Sequence, residues 1–311
     1  MSYGEHRVLV VGAAGLDMKV QPRSEVIESA RSNPAQILRG WGGVARNIAE
    51  NLTRLGAEVQ LITAVGDDGW GQALLESFDR LGIDRDAMVI SSDKSTASYV
   101  GVHRADNKLW VAFDDMEVIK EITPDHLYQW RRLFEEADMI CVDANLSSET
   151  LKVLFQMAAD YEVPVCGDPT AALLAHRFQP HLSQMMAVTP DLDEAAALVG
   201  EEMMGDEGIS YGARQLVSFG VDLAIITLGA EGLYYATSDE NGRLPAFPVD
   251  VVDPTGAGDA LTAAVAYGLL EDISPEEVVR LGMAAAAQTI TCRHTVCPDL
   301  NLESLYDRLI A

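Results

Sequence analysis

Residues 253–270, DPTGAGDALTAAVAYGLL, constrain this chain more than any other stretch. From Asp259 onward, Ala260, Leu261, Ala263, Ala264, Val265, Ala266, Leu269 and Leu270 make a helix apolar on nearly every face. Such a helix belongs in the middle of a large core. Gly256 and Gly258, just before it, free the backbone for φ > 0 and for close approach to a ligand. A helix start leaves N–H groups unpaired and carries positive partial charge, so it gathers anions. Two readings of Asp259 follow. As an N-cap it only finishes the helix. As the base of a phosphoryl-transfer site it takes the proton of an attacking hydroxyl, while N–H groups at the helix start hold the moving phosphate. A cap alone does not need a glycine on either side of Ala257, which favours the second reading.

A chain of 311 residues is long enough for one large α/β domain with an appendage, or for two domains. With 22 Lys+Arg against 48 Asp+Glu, the formal charge of −26 argues against nucleic-acid and anionic-membrane partners, which need basic patches. A nucleotide ligand remains open, since backbone N–H groups and a metal ion can hold its phosphates. No run of 18 apolar residues exists and the N-terminus moves directly into a strand, so the expectation is a soluble, unexported, cytoplasmic protein. Four cysteines suit a reducing compartment. Cys141 and Cys166 read as buried small hydrophobes in strands. Cys292 and Cys297 flank His294, but their spacing matches none of the common zinc patterns.

In chain order, 7–12 (RVLVVG) reads as a parallel strand covered on both faces. GAAG is a fragment of a dinucleotide fingerprint and weak by itself. Asp17 follows that strand, where open α/β sheets gather ligands, although a plain turn residue is the competing reading. Residues 18–40 lack helical period and read as loop with a short strand at 35–39. In GWGGVARNIAENLTRLG, Val44, Ile48, Leu52 and Leu55 share a helical face and Gly56 supplies the stop. Gly42 and Gly43 open that helix where a ligand can touch backbone, and Asn47 stands one turn in. A strand at 58–65, the turn GDDG and a helix at 70–81 follow. Residues 95–113 alternate and turn at Ala105, Asp106 and Asn107, the pattern of an antiparallel hairpin. Together with 35–39 it forms a small separate sheet, read as a lid that keeps water from a phosphoryl donor.

Beyond residue 123 the order is regular: helix 123–137 with Thr123 as N-cap, strand 139–142, helix 147–161, and strands 163–167 and 185–188. That order implies a parallel sheet with helices on both faces. Asp191 and Glu194, three apart at a helix start, are either dipole partners or carboxylates that order Mg²⁺ through water. Strand 223–228, the turn GAEG and the strand LYYAT put Gly229 and Gly232 where a flat ligand such as adenine passes. Ser274 opens a well-formed helix, and a helix at 302–310 closes the chain.

GGVARNIAENLTRLG near the N-terminus and DPTGAGDA near the C-terminus, with GDDGWG and TPDLDE between them, resemble the signatures of the pfkB (ribokinase-like) carbohydrate kinases over essentially the whole chain. SNPAQI, TASY, AFDDMEVIKEIT, VDANLS and CRHTVCPDLN resemble the pseudouridine kinases within that family. The resemblance implies a single domain spanning 1–311, three-layer α/β/α with a mostly parallel central sheet and a small β-sheet lid from about 17–41 and 94–116. It implies an ATP-dependent kinase acting on the 5′-hydroxyl of a ribosyl substrate, with Asp259 as base and Gly256, Ala257 and Gly258 as anion hole. Asp17, Gly42, Gly43, Asn47 and Asn145 would hold the substrate, and Asp191, Thr227, Gly229, Gly232 and Thr255 the nucleotide. Glu194 would organise Mg²⁺, with a monovalent cation (K⁺) near the loop before Gly256 and a homodimer formed through the lid. Three departures bear on the substrate: Asp191 replaces the family's Asn, Gly15 stands where pseudouridine kinases tend to carry Asn, and Leu173 and Leu174 occupy a region where they carry Lys. A simple sugar or another nucleoside is the alternative substrate. A binding protein that kept the fold and lost the chemistry is the rival class.

Overall fold

The computed structural model describes residues 6–24, 26–104 and 109–310. Its main sheet has eight strands in the spatial order Asn241–Leu244, Leu233–Ala236, Leu223–Thr227, Ala187–Val188, Val165–Asp168, Met139–Asp143, Arg7–Val11, Glu58–Ile62. The last six run parallel, while the first two join as antiparallel strands. Alternation along Arg7–Val11 shows why helices cover both faces. Val8 and Val10 enter one core and Leu9 and Val11 the other, so neither face of the strand can meet water. The result is a three-layer α/β/α sandwich.

The helix Ala257–Leu270 lies in one of these cores, with Ala260 through Gly268 buried without interruption. Its alanines let the next helix, Pro275–Thr289, approach closely. A methyl group at Gly282 would fall 2.9 Å from Val265 Cγ2. The helix Val44–Leu55 packs in the same core through Ala45, Ile48, Ala49 and Leu52 and stops at Gly56, φ 103°.

A second sheet stands apart, ordered Ala35–Gly42, Gly15–Pro22, Ala97–His103, Leu109–Asp115. Residues 18–40, read from sequence as loop with a short strand at 35–39, are instead entered from both ends by two eight-residue strands, Gly15–Pro22 and Ala35–Gly42, paired over their whole length. Ala97–His103, a segment far along the chain, aligns in parallel with the other edge of Gly15–Pro22, so that strand is paired on both sides. The hairpin Ala97–His103 and Leu109–Asp115 is antiparallel, as its alternation predicts. The turn placed at Ala105, Asp106 and Asn107 lies outside the described residues.

Two predicted elements are divided. The strand 58–65 splits at Thr63, whose carbonyl accepts from Val89 N at 2.9 Å, so that Ala64–Gly66 leaves the main sheet to pair with Val89–Ser91. The helix 123–137 becomes Pro124–Gln129 and Arg131–Glu136. Trp130 N there divides its hydrogen bond between His126 O and Leu127 O, which tightens the turn. Cys141 and Cys166 are buried neighbours across two strands, as expected. Cys292 and Cys297, whose spacing fits no common zinc pattern, bond to each other. The turn after Pro275–Thr289 brings their Cα atoms to 5.7 Å and joins them in a disulfide, which leaves no thiolate for a metal at His294. Among the described residues no helix is long and apolar enough to cross a membrane.

Candidate active site

The carboxyl ends of the parallel strands deliver acids to one place. Asp143 and Asp168 end adjacent strands in register with each other. Asp143 is fully buried and accepts from the amides of Ala13 (2.7 Å), Asn145 (2.9 Å) and Ala45 (3.1 Å). It therefore ties the turn after the first strand to the start of the helix Val44–Leu55. Burial pushes its pKa up, against the pull of those N–H groups. Asp168 accepts from Thr170 N at 2.8 Å and from the Thr262 hydroxyl at 3.1 Å, and Thr262 reaches on to Thr189 at 2.6 Å. Burial raises Asp168 to about 6. Thr262 lies one turn along the central helix from Asp259, so these contacts fix the helix against the strand ends.

The mouth of that helix is open. Gly256 caps it at φ 84° without any side-chain hydrogen bond, and a side chain there would meet Thr295 O at 1.9 Å. Glycine is required by both the backbone angle and the contact. Ala257 N makes only a long 3.4 Å bond to Pro254 O. Among the described residues the amides of Gly256 and Gly258 have no hydrogen-bonded partner, so these two donors are open to a ligand. Asp259 is half-buried and accepts from Asn47 Nδ2 at 2.7 Å. Its pKa is raised, first by burial and then by the charge of Asp168, with Asn47 opposing. A helix start alone would lower it; the surrounding acids and the loss of water prevail, which makes Asp259 a better proton acceptor.

Asp17 lies on Gly15–Pro22, and Gly42 on the neighbouring strand leaves the space its carboxylate occupies: a methyl group at 42 would fall 2.1 Å from Asp17 Oδ1. Burial lifts Asp17 to about 6, with Arg46 pulling the other way. Asp17 borders a cavity of about 480 Å³ between the small sheet, the helix Val44–Leu55 and the loop 293–298. Trp41, Trp70 and Tyr99 supply aromatic wall, and the two tryptophans meet edge to face at 6.4 Å.

Asp17, Gly42, Gly43, Asn47, Gly256 and Asp259 are thus brought together. Asn47 gives its carbonyl to Arg46 and one amide hydrogen to Asp259, which leaves one N–H for a substrate hydroxyl. Asn145 stands beside Asp143, bonded through its amide. Thr255 reaches the cavity but bonds its hydroxyl to Asp253 at 2.8 Å. Asp191 and Glu194 form a reciprocal capping box, and Asp191 bridges to Thr227 on the next strand. Gly229 lies in an open turn, whereas Gly232 is explained by the chain itself: a side chain there would meet Leu244 O at 2.0 Å. Arg46, Asp143, Asp168 and Thr262 were not singled out from sequence. The two aspartates had a signal, an acid closing each of two buried strands.

Glu194 is buried and raised to about 8, by desolvation and then by Asp168. Among the described residues no three His, Cys, Asp or Glu groups cluster to cage a metal directly. Glu194, whose pKa is raised by burial and by the charges of Asp168, Asp191 and Asp193, fits a hard divalent cation held largely through water.

Comparison with known proteins gives the family. The pfkB family of carbohydrate kinases matches residues 5–300. A pseudouridine kinase from Escherichia coli (strain K12) is 31% identical over 299 residues, covering 96% of this chain and 95% of that protein. A ribokinase from Bacillus subtilis (strain 168) is 27% identical over 289 residues, covering 91% and 92%. The structure of Arabidopsis thaliana ribokinase complexed with ribose and ATP superimposes with a TM-score of 0.85 at 21% identity, covering 99% of each chain. A match along nearly the whole length, joined to an acid at the open start of an apolar helix, shows that this chain belongs to the pfkB family of carbohydrate kinases and is a phosphotransferase with an alcohol acceptor.

Proposed function

We propose that the enzyme transfers the γ-phosphate of ATP to the 5′-hydroxyl of pseudouridine. The observation that carries the phosphoryl-transfer reading is the Asn47–Asp259 hydrogen bond beside the amides of Gly256 and Gly258, which have no partner among the described residues. Asp259 takes the hydroxyl proton, and the amides of Gly256, Ala257 and Gly258 hold the transferring group. Asp17 accepts hydrogen bonds from the ribose. Asp191, Thr227, Gly229 and Thr255 flank the nucleotide. Mg²⁺, organised by Glu194 through water, neutralises phosphate charge when bound. Most of the rate comes from positioning and charge stabilisation, because the phosphoryl transition state is loose.

The base is argued from the cavity. A volume of about 480 Å³ lies in the range of sites for ligands larger than a pentose, and Trp41, Trp70 and Tyr99 offer faces for an aromatic ring. Gly15, one of the departures from the pseudouridine kinase pattern, has a local cause: a side chain there would meet Ala97 O at 2.4 Å. Leu173 is exposed and offers a base nothing polar. A simple sugar is the second reading, supported by the similarity to ribokinase. Competition among pseudouridine, uridine, ribose and fructose in a coupled ADP-release assay tests the assignment. Preference for ribose or fructose overturns pseudouridine, and no ADP release with any of them favours the binding-protein reading.

The same proposal makes the small sheet of a single 1–311 domain a lid over the cavity. Its exposed Ile37, Leu38, Trp110 and Phe113 favour pairing of two such sheets in a homodimer, tested by light scattering in solution. Dependence on K⁺ and a cytoplasmic location extend the reading, and replacing K⁺ by Li⁺ in the assay tests the former.

A further inference from the structure

Arg46 is a buried charge that the catalytic reading leaves unexplained. It stands on the helix Val44–Leu55, is 5% exposed, and forms part of the cavity wall. A guanidinium stays charged at any ordinary pH, so a buried one needs partners that replace its water. Nη2 donates to Glu50 Oε2, and Nη1 donates to Asn47 Oδ1 at 2.8 Å. Glu50 is held from its other side by Arg54, at 2.6 Å. The carboxylates of Asp17 and, more weakly, Asp259 also favour the charge on Arg46. Its Nε is buried and has no hydrogen-bonded partner among the described residues.

The direction of these bonds matters. Asn47 has one carbonyl and one NH₂, and a flipped amide would turn its oxygen toward the carboxylate of Asp259, acceptor against acceptor. Arg46 claims the oxygen. The NH₂ is then left facing Asp259, where it makes its 2.7 Å bond.

We infer that Arg46 is a positioning residue for phosphoryl transfer: it fixes the orientation of Asn47 against Asp259 and is the buried counter-charge that Asp17 faces across the acceptor cavity. The inference rests on the reading of Asp259 as base and Asp17 as the ribose-binding acid. Arg46 acts through these two groups and touches no reacting atom.

The groups around Asp17 come from several elements. Tyr99 faces it from Ala97–His103, Asp259 from the central helix, and Arg46 from Val44–Leu55. Lys19 on its own strand is paired with Asp253 at 3.0 Å, and Arg39, His103, Arg293 and His294 complete the charged lining. Arg46 is the cation that lowers Asp17 against burial.

The test uses Arg46→Gln, Arg46→Lys and Glu50→Gln in the full chain, with thermal melting to verify folding. kcat and KM are measured for pseudouridine, or for ribose should pseudouridine not turn over, from about pH 5 to pH 9. Arg46→Gln is expected to raise the acceptor KM about tenfold at neutral pH, lower kcat, leave the KM for ATP unchanged and move the acid limb of kcat/KM to higher pH. Arg46→Lys returns the limb toward its wild-type position but not kcat, because an ammonium cannot grip Asn47 and Glu50 in one plane. Glu50→Gln frees Arg46 toward Asp17 and moves the limb to lower pH. A limb that stays in place in Arg46→Gln and Glu50→Gln, with activity lost equally at every pH, overturns the inference and leaves a packing role. Should Arg46→Gln fail to fold, the direction of the limb in Glu50→Gln decides alone. Asp17→Asn separates the layers. An unchanged acceptor KM there defeats the underlying reading of Asp17 and this inference with it, whereas a raised KM beside unmoved limbs defeats the inference only.

Discussion

The helices Ala257–Leu270 and Pro275–Thr289 follow each other in the chain and share one core, yet their first turns are finished by different means. Ser274 accepts from Glu277 N at 3.4 Å, and the Glu277 carboxylate reaches back to the Ser274 hydroxyl at 2.7 Å and to its amide. That helix satisfies its own start. The central helix begins at a left-handed glycine with no side-chain cap and, among the described residues, with the amides of Gly256 and Gly258 unpartnered. One helix closes its first turn with its own side chains, while the other leaves that turn open and is fixed by neighbours such as Thr295 and Asp168, the difference expected if the open turn takes a ligand.

Substitutions at the two starts should therefore separate activity from stability. Asp259→Asn is expected to reduce kcat by roughly 10²–10⁴-fold while calorimetry still detects ATP binding, the usual size of a lost general base. Retention of most of kcat would mean that the open start holds phosphate without a base. Gly256→Ala forces a side chain into φ 84° and against Thr295 O. It should lower kcat on the order of 10²-fold through the misplaced amides. Denaturant melts should show it destabilised by about 1–3 kcal/mol.

Asp17→Asn probes the acceptor side of the same mouth. The folded pKa of about 6 lies above the ordinary 3.8, so the wild type holds its full stability from this group below 3.8 and loses it as pH rises through 6. The Tm of the variant relative to wild type should thus increase between those limits. A constant difference would show that Asp17 is better solvated than its surroundings suggest. Ser274→Ala is the smallest effect: about 1 kcal/mol of stability with kcat unchanged, the signature of a cap with no ligand.

Much of this contrast was legible in the residues. An apolar helix behind a glycine turn, the face Val44, Ile48, Leu52, Leu55 with its glycine stop, and the Ser274 start all follow from short-range patterns that the structure keeps. Gly15–Pro22 was not legible, because GLDMKVQP is half-buried and owes its strand to partners on both sides that periodicity cannot show. Arg46 reads in isolation as an ordinary solvated helix residue. Only the arrival of Asp17 and Asp259 from distant segments reveals it as buried. Asp143 and Asp168 sit inside correctly read strands, where the pattern reports the backbone and says nothing of what the last side chain does.

The strand Gly15–Pro22 begins buried beside the core at the Gly15–Gly42 pair and runs outward as part of the small sheet, with Asp17 two residues from its root. Asp17 is therefore carried by the small sheet rather than by the main one. Under the lid proposal, rocking that sheet sets the acid's distance from Asp259 at the same stroke, so closing on an acceptor and shutting out water become one mechanical event.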